Sequence, residues 1–188
     1  MTSPLRRFLV RDRTSISHAK VEATVGSFNT IEAYKRYLRG SYLFRTVLDA
    51  QLTDVHWPAQ LSLWASTDQL THLMRQDMQD LDMVPPQPVA PSTSPIMGSD
   101  MESLLGTLYV VEGSSLGARI LYRRAQALGL SEVFGARHLA AQAQSNERWK
   151  RLLELLEAAP ELDLDRTVEA SKATFDAVER AFEDPQHA

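Results

Sequence analysis

His18 and Glu22 stand four residues apart in the run Arg11-Asp12-Arg13-Thr14-Ser15-Ile16-Ser17-His18-Ala19-Lys20-Val21-Glu22. On a helix that spacing brings the carboxylate to the imidazole. A carboxylate that accepts from one ring nitrogen fixes the tautomer and raises the basicity of the other nitrogen, as an axial metal ligand requires. Arg11 lies seven residues earlier, two turns along the same face, where a cation suits an anionic group on the same ligand. The same His–Glu spacing also occurs as an ordinary surface pair, and the segment alone leaves both readings open.

A second segment, Leu108-Tyr109-Val110-Val111-Glu112-Gly113-Ser114-Ser115-Leu116-Gly117-Ala118, reads as helix with two glycines in its middle. A mid-helix glycine costs about 1 kcal/mol relative to alanine. Gly113 and Gly117, four residues apart around Ser114 and Ser115, expose bare backbone and small polar groups on nearly one face. Such a face admits something flat at close range: a neighbouring helix, or a planar ligand such as a porphyrin. Tyr109 could hydrogen-bond an anionic ligand or serve as a core tyrosine. Lys150 and Arg151, with Arg148 around Trp149, offer either a second anionic anchor or a solvated face.

The elements that must position these residues are helices throughout. Residues 4–24 read as one or two helical segments. Ile31, Tyr34, Leu38, Ser41, Arg45 and Leu48 follow helical spacing after an N-cap at Asn29 or Thr30. Pro58 is expected in the first turn of a helix that carries Leu61, Trp64, Leu70, Leu73 and Met74. Five of the nine prolines fall between Val84 and Ser99, predicting a mobile loop at about 84–99. The glycine-bearing helix then runs from about Asp100 to Leu128 and closes at Gly129. Trp149, Leu152, Leu153 and Leu156 mark a helix that stops before Pro160, and Val168, Ser171, Phe175, Val178 and Phe182 mark the last. His187 belongs to a short disordered C-terminal tail. Seven or eight helices and no period-two alternation predict an all-α fold, with residues 1–188 as a single domain.

Composition narrows the chemistry. With no cysteine, the chain has no disulfide, thiolate ligand or cysteine nucleophile. The net charge of −4, with cations interspersed among anions, argues against nucleic-acid binding. Neither a secretory signal nor an apolar run long enough to span a membrane is evident, so a cytoplasmic protein is expected. The five histidines show no H-E-x-x-H and no repeated E-x-x-H, which argues against a di-iron bundle.

Taken together, the two segments resemble the heme oxygenases. The order Arg11-x-x-Thr14-x-x-x-His18, with Glu22 following, resembles that family's N-terminal helix and proximal histidine. The run Leu108–Ala118 resembles its kinked distal helix, in the form found in bacterial enzymes that accompany bacteriophytochromes. The resemblance implies the family's all-α, multi-helix fold, with His18 as proximal ligand of heme iron and Glu22 orienting it. It further implies that the backbone of Gly113 and Gly117 lies across the distal face, and that Arg11 and Lys150 face the propionates, with Tyr109 assisting. Two departures stand out. Ser114 occupies the position of a frequent aspartate, so a proton route through Ser114, Ser115 and water is implied. Glu154 stands where a second basic contact would fall, leaving Arg151 as its substitute.

The activity implied is oxidative cleavage of heme b, at once cofactor and substrate, by O2 to biliverdin, CO and ferrous iron. No Gly-rich nucleotide-binding turn is present, so electrons are expected from a reductase or ferredoxin partner, or from ascorbate. A bacteriophytochrome is a candidate acceptor of the biliverdin. The competing reading is a non-enzymatic heme carrier or sensor, and a further one is a helical interaction protein that binds no heme.

Overall fold

The computed structural model describes residues 5–65, 70–87, 98–144 and 147–183. Among them are seven α-helices: α1 (Arg6–Val25), α2 (Ile31–Thr53), α3 (Leu70–Asp80), α4 (Met101–Ala127), α5 (Arg137–Gln144), α6 (Glu147–Ala158) and α7 (Leu164–Glu183). A single 3-10 segment spans Ala59–Trp64. No strand forms among the described residues, only isolated bridges from Ser131 to Phe134 and Gly135. Residues 88–97 of the expected loop, and the expected tail at 184–188 with His187, lie outside the described residues.

Local chemistry sets three helix ends clearly. Thr30 caps α2, its hydroxyl oxygen accepting from the Ala33 N–H at 3.2 Å. Asp100 caps α4, accepting from the Ser103 N–H at 3.1 Å and from its hydroxyl at 2.8 Å. That acceptor set, with Arg166 3.0 Å away, holds the Asp100 carboxyl below its usual range although partial burial pushes it up. Gly129, at φ +84°, takes the chain out of α4 through a conformation that L side chains avoid.

Two expectations are corrected. The helix expected after Pro58 is two elements, because Pro58 leads only a 3-10 turn and α3 begins at Leu70. Helix α5 was not anticipated. Its first N–H groups, those of Arg137 and His138, are accepted by Asp77 of α3 at 2.9 and 3.0 Å, so its cap comes from a remote helix.

Helix α7 packs against α4, α1 and α2. Gly106 makes the α4–α7 approach possible: a Cβ there would collide with the Thr167 carbonyl oxygen. The Ser171 hydroxyl donates to the Gly106 carbonyl at 2.9 Å across the same contact. Leu104, Leu105, Leu108 and Leu152 form one cluster with Leu61 and Trp64, all almost wholly buried. Burial of each such aliphatic side chain stabilises by about 1.5–3 kcal/mol. Val10, Leu156 and Val168 bring α1, α6 and α7 together. These contacts fix α1 and α4 on a shared frame.

Candidate functional site

A cavity of about 600 Å³ opens between these helices, in the usual size range for small-molecule and cofactor sites. Helix α1 contributes His18, Val21 and Glu22, and α4 contributes Val110, Val111, Ser114, Gly117 and Ala118. Tyr37, Ser41, Phe44 and Arg45 from α2 line it as well, as do Met74 from α3, and Val178 and Phe182 from α7. The walls are therefore mostly apolar, with a few polar groups.

His18 is more than half exposed, and its Nδ1 lies 3.6 Å from Glu22 Oε2. Its ring meets the edge of Phe175 at a centroid distance of 5.7 Å and an interplanar angle of 83°. Glu22 is its sole polar partner among the described residues, so the second ring nitrogen has none. On α4, a Cβ built on Gly117 meets nothing within 4 Å, so the backbone there faces open space. The Ser114 hydroxyl donates to the Val111 carbonyl at 2.6 Å. Its proton is thus engaged by the helix, and its oxygen remains an acceptor on the cavity wall.

The other residues singled out in the sequence lie elsewhere. Gly113 faces Trp149, at 3.6 Å from a built Cβ. Ser115 is buried and donates to the Glu112 carbonyl at 2.6 Å. Tyr109 packs on Trp149 with ring centroids 5.3 Å apart, and burial raises its phenol pKa despite the opposing charge of Arg11. None of the three lines the cavity.

The expected anionic anchors are also off the wall. Arg11 pairs with Asp12 at 2.8 Å and lies over Phe8, Lys150 pairs with Glu147 at 3.1 Å, and Arg151 pairs with Glu154 at 3.1 Å. Each long side chain has a carboxylate partner one or three residues away, in an exposed pair of the kind that contributes little to stability. Arg148 turns inward, its Nε 2.9 Å from Glu112 Oε1, which also accepts from Trp64 Nε1 at 2.8 Å. This buried set ties α4 to α6 and to the 3-10 segment.

Sequence reasoning missed the two arginines that do line the cavity, Arg45 and Arg124. It also passed over a buried pair outside it: His138 Nδ1 lies 2.8 Å from Asp77 Oδ2, both fully buried. Burial alone would raise the Asp77 pKa. Hydrogen bonds and charge from His138, together with the Arg137 backbone N–H, outweigh this and hold it low. No cluster of three or more metal-ligating side chains exists among the described residues, so an iron here would need a ligand that brings its own coordination.

Comparison with known proteins identifies the family. A family model described as heme oxygenase matches residues 7–184. The chain is 31% identical over 173 residues to heme oxygenase PigA of Pseudomonas aeruginosa, covering 89% of this chain and 84% of that protein. Its fold matches the crystal structure of the NO- and CO-bound heme oxygenase from Neisseria meningitidis with a TM-score of 0.68 and 22% identity, over 96% of this chain and 94% of that one. The family-model match over almost the whole chain, together with the 31% identity to a relative covered over most of its length, places this protein in the heme oxygenase family.

Proposed function

We propose that His18 is the axial ligand of heme in this enzyme, that Glu22 orients it, and that Ser114 and Gly117 form the wall on which oxygen chemistry is directed. One observation carries this reading: His18 of α1 and Ser114 and Gly117 of α4 line the same cavity. The residues fit the group. His18 offers an unpartnered ring nitrogen, Gly117 leaves room for close approach, and Val110, Val111, Ala118, Phe44 and Phe182 supply an apolar surround. Bound heme supplies both the iron that activates O2 and the ring that is cleaved to biliverdin, CO and ferrous iron.

The protein's own part is positional. Glu22 holds His18 in one tautomer and strengthens it as a donor. Gly117 adds no side chain that could act as a strong acid or base, and Ser114 presents an oxygen that accepts from water. A charged acid–base pair would transfer protons strongly at this wall; Ser114, whose own proton is held by the Val111 carbonyl, would instead orient the water that carries them. Ser115 is turned toward Glu112, so the proton route we propose uses Ser114 and cavity water. Electrons come from a reductase or ferredoxin, with ascorbate as the laboratory substitute, and the biliverdin is available to a bacteriophytochrome. We place the enzyme in the cytoplasm; among the described residues no helix is long and apolar enough to cross a membrane.

The direct test is His18→Ala. The variant should lose the absorption spectrum of histidine-ligated heme after addition of hemin, and an unchanged spectrum would remove His18 as the ligand.

A further inference from the structure

We infer that Gly40 is a positioning residue that sets the width of the cavity at its α7 end, by seating the Phe182 ring clear of the space a ligand as broad as heme needs. The identity of the ligand rests on the heme reading of the site; the seating of the ring does not. Phe182 lines the cavity from the last turn of α7. Phe175, Val178 and Phe182 are spaced three and four residues apart and share one face of that helix. Phe175 meets His18 edge-on, and Val178 and Phe182 carry the same face along the wall.

Gly40 is buried in the middle of α2, between the wall residues Tyr37 and Ser41. Alanine is the better helix former at such a position, so propensity does not account for the glycine. Space does. A Cβ at Gly40 would stand 2.7, 2.8 and 2.9 Å from Cδ1, Cγ and Cε1 of Phe182, well inside the optimal carbon–carbon separation of about 3.5–4.0 Å. Because the contact includes Cγ, the root of the ring, rotation about χ2 does not relieve it, and the whole ring must turn away. Tyr37 stops it on the core side, its ring centroid 6.2 Å from that of Phe182. Tyr37 is itself buried against Phe28 and Tyr34, with centroids 5.1 and 6.0 Å away, and in so close-packed a cluster it cannot give way. The side left open is the cavity. Gly106 supplies the contrast. It also receives α7 closely, but its neighbours there are Thr167, Ala170 and Ser171, none of which lines the cavity. One glycine lets α7 dock; the other keeps a side chain of α7 out of the pocket.

The test pairs crystal structures of ligand-free wild type and Gly40→Ala with Soret titrations of the full chain by hemin. In Gly40→Ala the Phe182 ring should stand displaced into the cavity. A ring that keeps its place, or turns to solvent, overturns the inference whatever the cavity binds. Hemin affinity should fall about tenfold in Gly40→Ala, the low end of an overpacking penalty expressed as affinity. Gly40→Ala combined with Phe182→Leu should regain most of the wild-type affinity, because the smaller side chain leaves room for the new methyl group. Gly106→Ala, which crowds α7 away from the cavity, should lose thermal stability and keep its hemin affinity. If Gly40→Ala binds hemin as wild type does, or the double variant binds no better than Gly40→Ala, Gly40 does not set the width. Should Gly40→Ala fail to fold, Phe182→Trp, which enlarges the ring on its seat, should show the same loss of hemin affinity, and wild-type affinity there would overturn the inference. If wild type takes up no hemin, the heme reading fails, and the position of the Phe182 ring in the two crystal structures alone decides the role of Gly40.

Discussion

The Nδ1 of His18 and the Oε2 of Glu22 lie 3.6 Å apart on one face of α1, at the edge of the cavity that Ser114 and Gly117 line from α4. That distance is longer than a hydrogen bond, and both side chains are largely exposed. The pairing becomes worth more once a ligand covers it and excludes water, since the local dielectric then falls. Glu22→Gln should therefore lower hemin affinity by about tenfold, the low end for loss of a carboxylate behind a ligating histidine. Hemin titration followed in the Soret region measures this, and an unaltered affinity would deny Glu22 its orienting role.

Gly106 and Gly117 belong to one helix but face different neighbours, so alanine at each should act in opposite directions. At Gly117 a Cβ meets nothing, and the helix gains propensity, so Gly117→Ala should stabilise by up to about 1 kcal/mol. At Gly106 a Cβ collides with the α7 backbone, and Gly106→Ala should destabilise by about 1–3 kcal/mol. Thermal unfolding of the two variants decides the matter. Stabilisation at both positions would contradict the close α4–α7 contact.

Ser114→Ala should slow turnover while leaving hemin affinity and thermal stability near wild type. The hydroxyl oxygen is on the cavity wall, and its single intramolecular bond is to its own helix. Single-turnover decay of the Soret band in reductant and air measures the rate. Wild-type decay would take Ser114 off the proton route.

Asp77→Asn should destabilise the fold by about 3 kcal/mol near neutral pH, because it breaks a fully buried pair and weakens the remote cap of α5. The acid dependence should change too. Asp77 has a lowered pKa in the folded protein. Its stabilising contribution is therefore complete above the unfolded-state value of about 4 and is lost as pH falls through the folded value. The wild type should lose stability on acidification more steeply than Asp77→Asn does. Parallel curves from denaturant unfolding at successive pH values would refute the assignment.

The helical architecture was legible in the sequence, because spacing and caps are local. Thr30, Asp100 and Gly129 mark ends that the structure keeps. His18, Glu22, Ser114 and Gly117 were also legible, since the first two are spaced by one helical turn and the others break a helix rule without a local reason. What could not be read was tertiary. Gly113 and Gly117 differ by only 40° around the helix, yet Trp149 covers one and the other faces the cavity. The close-packing glycine, Gly106, has no local mark that separates it from them. Arg11, Lys150 and Arg151 looked available because their carboxylate partners are ordinary neighbours in sequence, whereas Arg45 and Arg124 reach the cavity only because α2 and α4 both pack on α7. Helix α5 depends on Asp77, some sixty residues earlier, and nothing within its own segment announces it.

The most direct measurement is an absorption titration of the purified protein with hemin, followed by ascorbate or a ferredoxin–reductase system in air. A saturable one-to-one Soret complex should form and then decay as a biliverdin band rises. A Soret complex that persists intact under reductant and oxygen would contradict cleavage at this site.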